Sequence, residues 1–314
     1  MAERVNVENF VRAETNRMFA GLYADAGAVN TWFHHRTPAS VDHQTVIRMN
    51  RDTLYSFAVA DISAGATLTV PEHGERYVSV MIVNQDHYIN QIFHDPGAYQ
   101  LSIDRHETPY VLVAARVLAD PNDTSDLATA AAIQDGLGLT AKSAQPFAMP
   151  DYDEDSFAKT RQAVLALAAG VRSADSMFGT RDDVDPVHHL LGTAAGWGGL
   201  PAKEATYLVV NAGLPVGRYE LRVGNDVPVD AFWSISVYNA DGFFEPNPSD
   251  AYSVNSITGE RDADGSITVR FGDHGPDAPN SIPITDGWNY AVRLYQPRAE
   301  ILNGTWKFPT ITAT

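Results

Sequence analysis

The chain has 314 residues, 44% of them hydrophobic and 19% charged, with a formal net charge of −17 and no cysteine. That length suits two domains, each able to bury its own core, and the composition is globular rather than disordered. The lack of cysteine excludes disulfides, thiolate nucleophiles, Cys-ligated metals and iron–sulfur clusters. The negative charge argues against nucleic acid and anionic membrane surfaces as partners.

In chain order, the first expected element is a helix. Asn6 is placed to cap it, Val11, Met18, Phe19 and Leu22 fall on one face, and Gly27 ends it. No apolar run resembles a signal-peptide core or is long enough to span a bilayer, so the chain is expected to be soluble and cytoplasmic unless a leader has been removed. From Thr53 to Leu118 the period changes to that of strands. Tyr55, Phe57 and Val59 share one parity, Val78, Val80 and Ile82 share another run, and Tyr110 to Leu118 is a third. Pro71 to Gly74 and Asp95-Pro96-Gly97 punctuate them. Residues 1–120 therefore read as an antiparallel β-domain with a leading helix.

Residues 121–196 read as helical. Thr124 or Ser125 is placed to cap a helix to Gln134, and Phe157 to Val171 carries helical spacing after the acidic run Asp151 to Asp155. That run suits a helix N-terminus through the macrodipole and lacks the glycine and distal glutamate of a calcium loop. A short helix is expected over Pro186 to Ala195. Residues 197–314 then alternate with period two: Tyr219, Leu221 and Val223; Ile267, Val269 and Phe271; Tyr290, Val292 and Leu294. Asp241-Gly242 and Asp264-Gly265 supply hairpin turns between such runs. One apolar and one polar face per strand imply a sandwich or jelly roll.

Common catalytic patterns are missing: there is no G-x-S-x-G, H-E-x-x-H, Walker A or G-x-G-x-x-G sequence. Ten histidines, His87 and His94 among them, raise a metal hypothesis, but their dispersed spacing favours ordinary hydrogen bonding, and the expectation is no metal and no cofactor. The sharpest constellation is Asn50-Arg51-Asp52-Thr53-Leu54-Tyr55-Ser56. It crowds an amide, a guanidinium, a carboxylate and a phenol at the start of a strand. Asp52, Tyr55 and His87 are the acid–base candidates, with Asn50 and Arg51 to orient a substrate. The blander reading makes Asp52 a turn cap with Arg51 paired to it. On Phe232 to Tyr238, a core-facing Trp233, Ile235 and Val237 would turn Ser234, Ser236 and Tyr238 to the opposite face. Ser234, Tyr238 and Arg293 are thus further binding candidates, with interface packing as the alternative.

Two blocks carry a family resemblance. The first is NRDTLYSFAVAD (50–61) with RYVSVMIVNQDHY (76–88), which resembles the DUF1254 domain. The second comprises WGGLPAKEATYL (197–208), FWSISVYNADGFFEPNPSDAYSV (232–254), DGSITVRFG (264–272), WNYAVRLYQP (288–297) and ILNGTWKFPTI (301–311), and resembles the DUF1214 domain. The resemblance implies a mainly β fold: a sandwich-like N-terminal domain, a helical insertion and a jelly-roll-like C-terminal domain. It implies no particular activity. The expectation from the residues is a small-molecule enzyme, a hydrolase or lyase with its site between the two β-domains. The alternatives are a non-catalytic ligand-binding or assembly protein, including a homo-oligomer, and metal-dependent chemistry.

Overall fold

The computed structural model of the chain describes residues 2–44, 47–171, 174–275 and 277–313. The fold is mainly β and packs as two compact units, neither of them continuous in sequence. Unit 1 is Met1–Arg36, Leu54–Leu118 and Ala128–Ala202; unit 2 is Thr37–Thr53, Ala119–Leu127 and Lys203–Thr314. No helix among the described residues is long and apolar enough to cross a membrane.

Unit 1 begins with α1 (Phe10–Ala26) and β1 (Phe33–His34), followed by β2 (Thr53–Asp61), β3 (Ala66–Val70), β4 (Val78–Asn84), β5 (Ile89–Phe93) and β6 (Gly97–Leu101). Next come α2 (Ile103–His106), β7 (Tyr110–Leu118), α3 (Thr124–Asp135), β8 (Gly138–Ala141), α4 (Glu154–Ala168) and α5 (Pro186–Ala195). Thr53 of β2 and the first turn of α3 count with unit 2. One sheet has the order β1-β2-β7-β4-β5, the other β6-β3-β8. β4 is buried at all seven positions, because it lies inside the larger sheet between β7 and β5, with Val78, Val80 and Ile82 opposite Val117, Ala115 and Val113. A strand covered on both faces must be apolar on both parities. β3 keeps the alternation of a strand covered on one face, burying Ala66, Leu68 and Val70.

The helices follow their caps. α5 starts at Pro186 after Asp185, whose carboxylate accepts from the Val187 and His188 N–H groups. α4 begins three residues before Phe157 because Asp153 accepts from Ser156 N–H, with Glu154 and Asp155 in the favourable first turn. Asp123, not Thr124 or Ser125, caps α3 by accepting from Ser125 and Asp126. α1 ends where expected, with Gly27 at φ 78° donating its N–H to Tyr23. Its buried face differs from the expected one: Phe10, Ala13, Glu14, Thr15, Asn16 and Phe19 are buried, while Val11, Met18 and Leu22 are half-buried. Polar residues occupy that face because each has a partner, such as Trp197 Nε1 for Thr15 and the Tyr152 hydroxyl for Asn16.

Unit 2 contains β9 (Ala205–Val210), β10 (Tyr219–Val223), β11 (Trp233–Tyr238), β12 (Ser253–Asn255), β13 (Ile267–Phe271), β14 (Ser281–Ile282), β15 (Asn289–Tyr295), α6 (Ala299–Leu302) and β16 (Thr312–Ala313). They form two four-stranded sheets, β12-β11-β15-β9 and β14-β13-β10-β16. Trp233, Ile235, Val237, Tyr290, Val292 and Leu294 of the first sheet pack on Leu221, Val223, Ile267, Val269 and Phe271 of the second. This is a sandwich core built from the alternate residues that period two singles out. Gly242 and Gly265 take φ of 87° and 85°, but the turns they serve are not tight hairpins between strands: Gly242 lies in the long connection from β11 to β12, and Gly265 in that from β12 to β13, which belong to different sheets.

Candidate functional site

The face of β11 turned away from the sandwich core is polar and still buried. Ser234 and Arg293 are direct cross-strand partners on β11 and β15, and Ser236 lies opposite Ala291. The segment Thr37–Thr53 packs in the same unit, and its Val41 and Met49 join the cluster of Tyr238, Phe244, Tyr252 and Ala291. Six of the eight residues singled out from the sequence therefore meet within unit 2: Asn50, Arg51, Asp52, Ser234, Tyr238 and Arg293.

The geometry is that of two buried sets of hydrogen bonds, one on Asp52 and one on Arg293. Ser234 Oγ donates to Asp52 Oδ2 at 2.6 Å. Arg293 donates through Nη1 to Ser236 Oγ at 2.8 Å, and through Nη2 to the Tyr238 hydroxyl at 2.6 Å and the carbonyls of Arg48 and Met49 at 2.9 and 3.1 Å. The Tyr238 hydroxyl passes its own proton to Met49 O at 2.9 Å. Asp52 is 1% exposed and Arg293 4%. Burial pushes the Asp52 carboxyl above its ordinary range, against the pull of the Arg293 charge and the Ser234 hydroxyl. Burial lowers the Arg293 guanidinium, and Tyr238, Tyr295 and Asp52 together more than offset that, so it stays charged. Asp52 Oδ1 is buried and has no hydrogen-bond partner among the described residues.

The neighbours of Asp52 set the turn. Asn50 Oδ1 accepts the Asp52 N–H at 3.0 Å, an Asx turn that starts β2, and its amide donates to the Tyr295 hydroxyl. Arg51 donates to Ala39 O at 2.6 Å and stacks over the Tyr252 ring at 5.0 Å, rather than pairing with Asp52. The turn is capped by Asn50, while Asp52 and Arg51 bond elsewhere in the unit. Beside this face, Tyr238, Asn247, Tyr252 and Ile282 bound a hollow of about 10 Å³, room for about one water.

Tyr55 and His87 belong to unit 1. Tyr55 is half-buried on β2, stacked on Phe57, with the Arg116 guanidinium over its ring at 5.5 Å. His87 is fully buried in the turn between β4 and β5, at φ 62°. Its Nδ1 lies 2.8 Å from Thr193 Oγ1, and its Nε2 accepts from the Gly198 N–H at 2.9 Å. Thr193 already donates its proton to His189 O, so it can only accept from His87. The ring is thereby fixed as the neutral Nδ1–H tautomer, stacked between Trp197 and His189. Thr193 and Gly198, which hold it, carry no local sequence signal for that role. Other histidines are likewise engaged with the backbone: His73 with Arg76 O and His94 O, and His94 with Val78 O. Among the described residues no three His, Asp or Glu side chains are grouped to hold a metal ion.

A family model for DUF1254, described as a protein of unknown function, matches residues 29–100, and one for DUF1214, described in the same words, matches residues 214–299. Over 98% of this chain and 97% of the other, the fold is similar to that of the VPA0106 protein from Vibrio parahaemolyticus, at TM-score 0.76 and 18% identity. An uncharacterized protein from Burkholderia cenocepacia is similar at TM-score 0.55 and 12% identity, over 97% of this chain and 87% of that one. At such identities the likeness carries the fold alone. No curated protein matches the chain.

Proposed function

We propose that this chain, which belongs to the family pairing a DUF1254 with a DUF1214 domain, is a ligand-binding protein that performs no chemistry on what it holds. The observation that carries this reading is the fate of the Asp52 network. Its donors are committed to acceptors of the same unit, and its two charged groups are almost without solvent contact. Such a network serves to fix a segment in one register, and here the segment is Thr37–Thr53, held on the outer face of β11 and β15. The binding half of the reading rests on unit 1, whose surface carries open grooves of about 560 and 460 Å³, within the size range of small-molecule sites.

A second reading, a hydrolase or lyase using Asp52 as an acid, is favoured by one observation. The carboxyl has a raised pKa and an unpartnered oxygen, a combination that recurs at catalytic sites. Substitution separates the two. Asp52→Ala in the full chain leaves Arg293 buried without its counter-charge and is expected to cost about 3–5 kcal/mol of unfolding free energy. A panel of ester, amide and lactone substrates is expected to show no turnover above buffer in the parent protein. Turnover by the parent that vanishes in Asp52→Asn at an unchanged unfolding midpoint would transfer the assignment to the enzyme.

A further inference from the structure

The larger groove lies within unit 1, between α1 and α4. On α4 its lining residues are Phe157, Ala158, Arg161, Gln162 and Leu165, a stripe at helical spacing, and α1 adds Arg17. Glu14, bonded to both arginines, has its side chain 2% exposed, whereas the side chains of Arg17 and Arg161 are 46% and 40% exposed. Arg17 forks onto Glu14, with Nε to Oε2 at 3.0 Å and Nη2 to Oε1 at 2.7 Å. Arg161 Nε reaches the same Oε1 at 3.2 Å. Two guanidiniums thus share one carboxylate, leaving a local charge of about +1 on a chain of net −17. Among the described residues, no acceptor is bonded to Arg161 Nη1 or Nη2, or to Arg17 Nη1. The Arg17 guanidinium also lies over the Phe157 ring at 5.9 Å.

We propose that this groove binds a small monoanion with an apolar body, a carboxylate on an alkyl or aryl chain, with the carboxylate on the unspent Nη donors and the chain along Phe157, Ala158 and Leu165. Charge fixes the anion. One surplus positive charge balances one carboxylate, and the planar guanidinium offers paired donors that match its two oxygens. The buried Glu14 orients both arginines before a ligand arrives, which lowers the entropy cost of binding. The apolar wall fixes the rest, since a free inorganic anion would leave Phe157 and Leu165 uncovered. The inference rests on the ligand-binding reading, but it uses residues and a readout independent of Asp52.

Calorimetric titration of the full chain with octanoate tests it, with acetate and 1-octanol as probes of each half of the ligand. Octanoate is expected to bind at least tenfold more tightly than either. Arg161→Gln and, separately, Ala158→Glu are each expected to weaken octanoate at least tenfold with the fold retained. Arg161→Gln, which gives up its bond to Glu14, is expected to lower the unfolding midpoint slightly, and Ala158→Glu to leave it unchanged. Both positions face solvent or the groove, so a folded variant is expected, and circular dichroism checks it. No octanoate binding, equal binding of octanol, or octanoate binding unchanged in both folded variants would each overturn the groove assignment. The last of these would leave the ligand-binding reading standing, while turnover dependent on Asp52 would remove that reading without touching the groove.

Discussion

His87 was singled out as an acid–base candidate, and its surroundings give it a pH role of a different kind. Burial first, and then neighbouring His189, lower its pKa well below the ordinary imidazole value; burial also lowers His34 and His106. A histidine with a lowered folded pKa binds fewer protons folded than unfolded. The stability it supports is complete above the unfolded value of about 6.5, begins to be lost as pH falls below it, and is gone only once pH has fallen through the lowered folded value. Carboxylates held low, such as Asp264 at about 2, lose their contribution only below about 3.9, so the two windows are separable. Urea unfolding measured from pH 7.5 to 5 is expected to show a decline that begins near 6.5. In His87→Gln that decline is expected to be shallower, after a loss of about 1–3 kcal/mol at pH 7.5 from the broken Thr193 and Gly198 bonds. A variant with the parent slope would remove His87 from the explanation. At this scale the sequence reveals which residues are chemically unusual but not what they touch. Asp52 stood out by the polar types around it, yet Ser234 lies 182 positions away.

Among the elements, legibility tracks length and the regularity of burial. β10, β13 and β15 each have one face on the sandwich core, and their alternation alone placed them. β1, β14 and β16, of two residues each, are too short to show a period, and Thr37–Thr53 is irregular until it meets the sheet it covers. The end of β13 shows a backbone constraint that periodicity cannot express. Gly272 has φ 96°, and a Cβ there would stand 1.9 Å from the Gly217 carbonyl oxygen, a backbone atom that cannot rotate away. Gly265, at φ 85°, has its nearest neighbour 3.5 Å from the same construction. Gly265→Ala is therefore expected to cost only the conformational penalty, about 1–3 kcal/mol. Gly272→Ala is expected to cost distinctly more, or to prevent folding. Chemical unfolding of the pair, read side by side, checks this, and equal losses would mean that the close approach relaxes easily.

For the chain as a whole, the consequence is that its second unit is assembled from three separate stretches. The matched segment 214–299 holds Ser234, Ser236, Tyr238 and Arg293 but none of their partners Arg48, Met49 and Asp52. Sequence patterning placed 50–53 at the head of the N-terminal strands because β2 follows it directly. Packing counts it with unit 2, where the Asp52 carboxylate meets Ser234 and the preceding carbonyls of Arg48 and Met49 meet the buried Arg293 guanidinium. Removing those partners would strip Val41 and Met49 from Tyr238, Phe244 and Tyr252 and break the bonds of Arg293 and Ser234 to that segment, at a cost of about several kcal/mol, comparable to the whole stability of a small domain. Lys203–Thr314 expressed alone is accordingly expected to keep far-ultraviolet circular dichroism, lose the near-ultraviolet signal and bind a hydrophobic dye, as a loosely packed sandwich would. Joining Thr37–Thr53 to its N-terminus through a flexible linker is expected to restore much of the cooperative transition, and the same fusion carrying Asp52→Ala is not. If the isolated fragment already unfolds sharply at the midpoint of the fusion, the covering segment is dispensable, and the Asp52 network must be conserving something other than the fold of this unit.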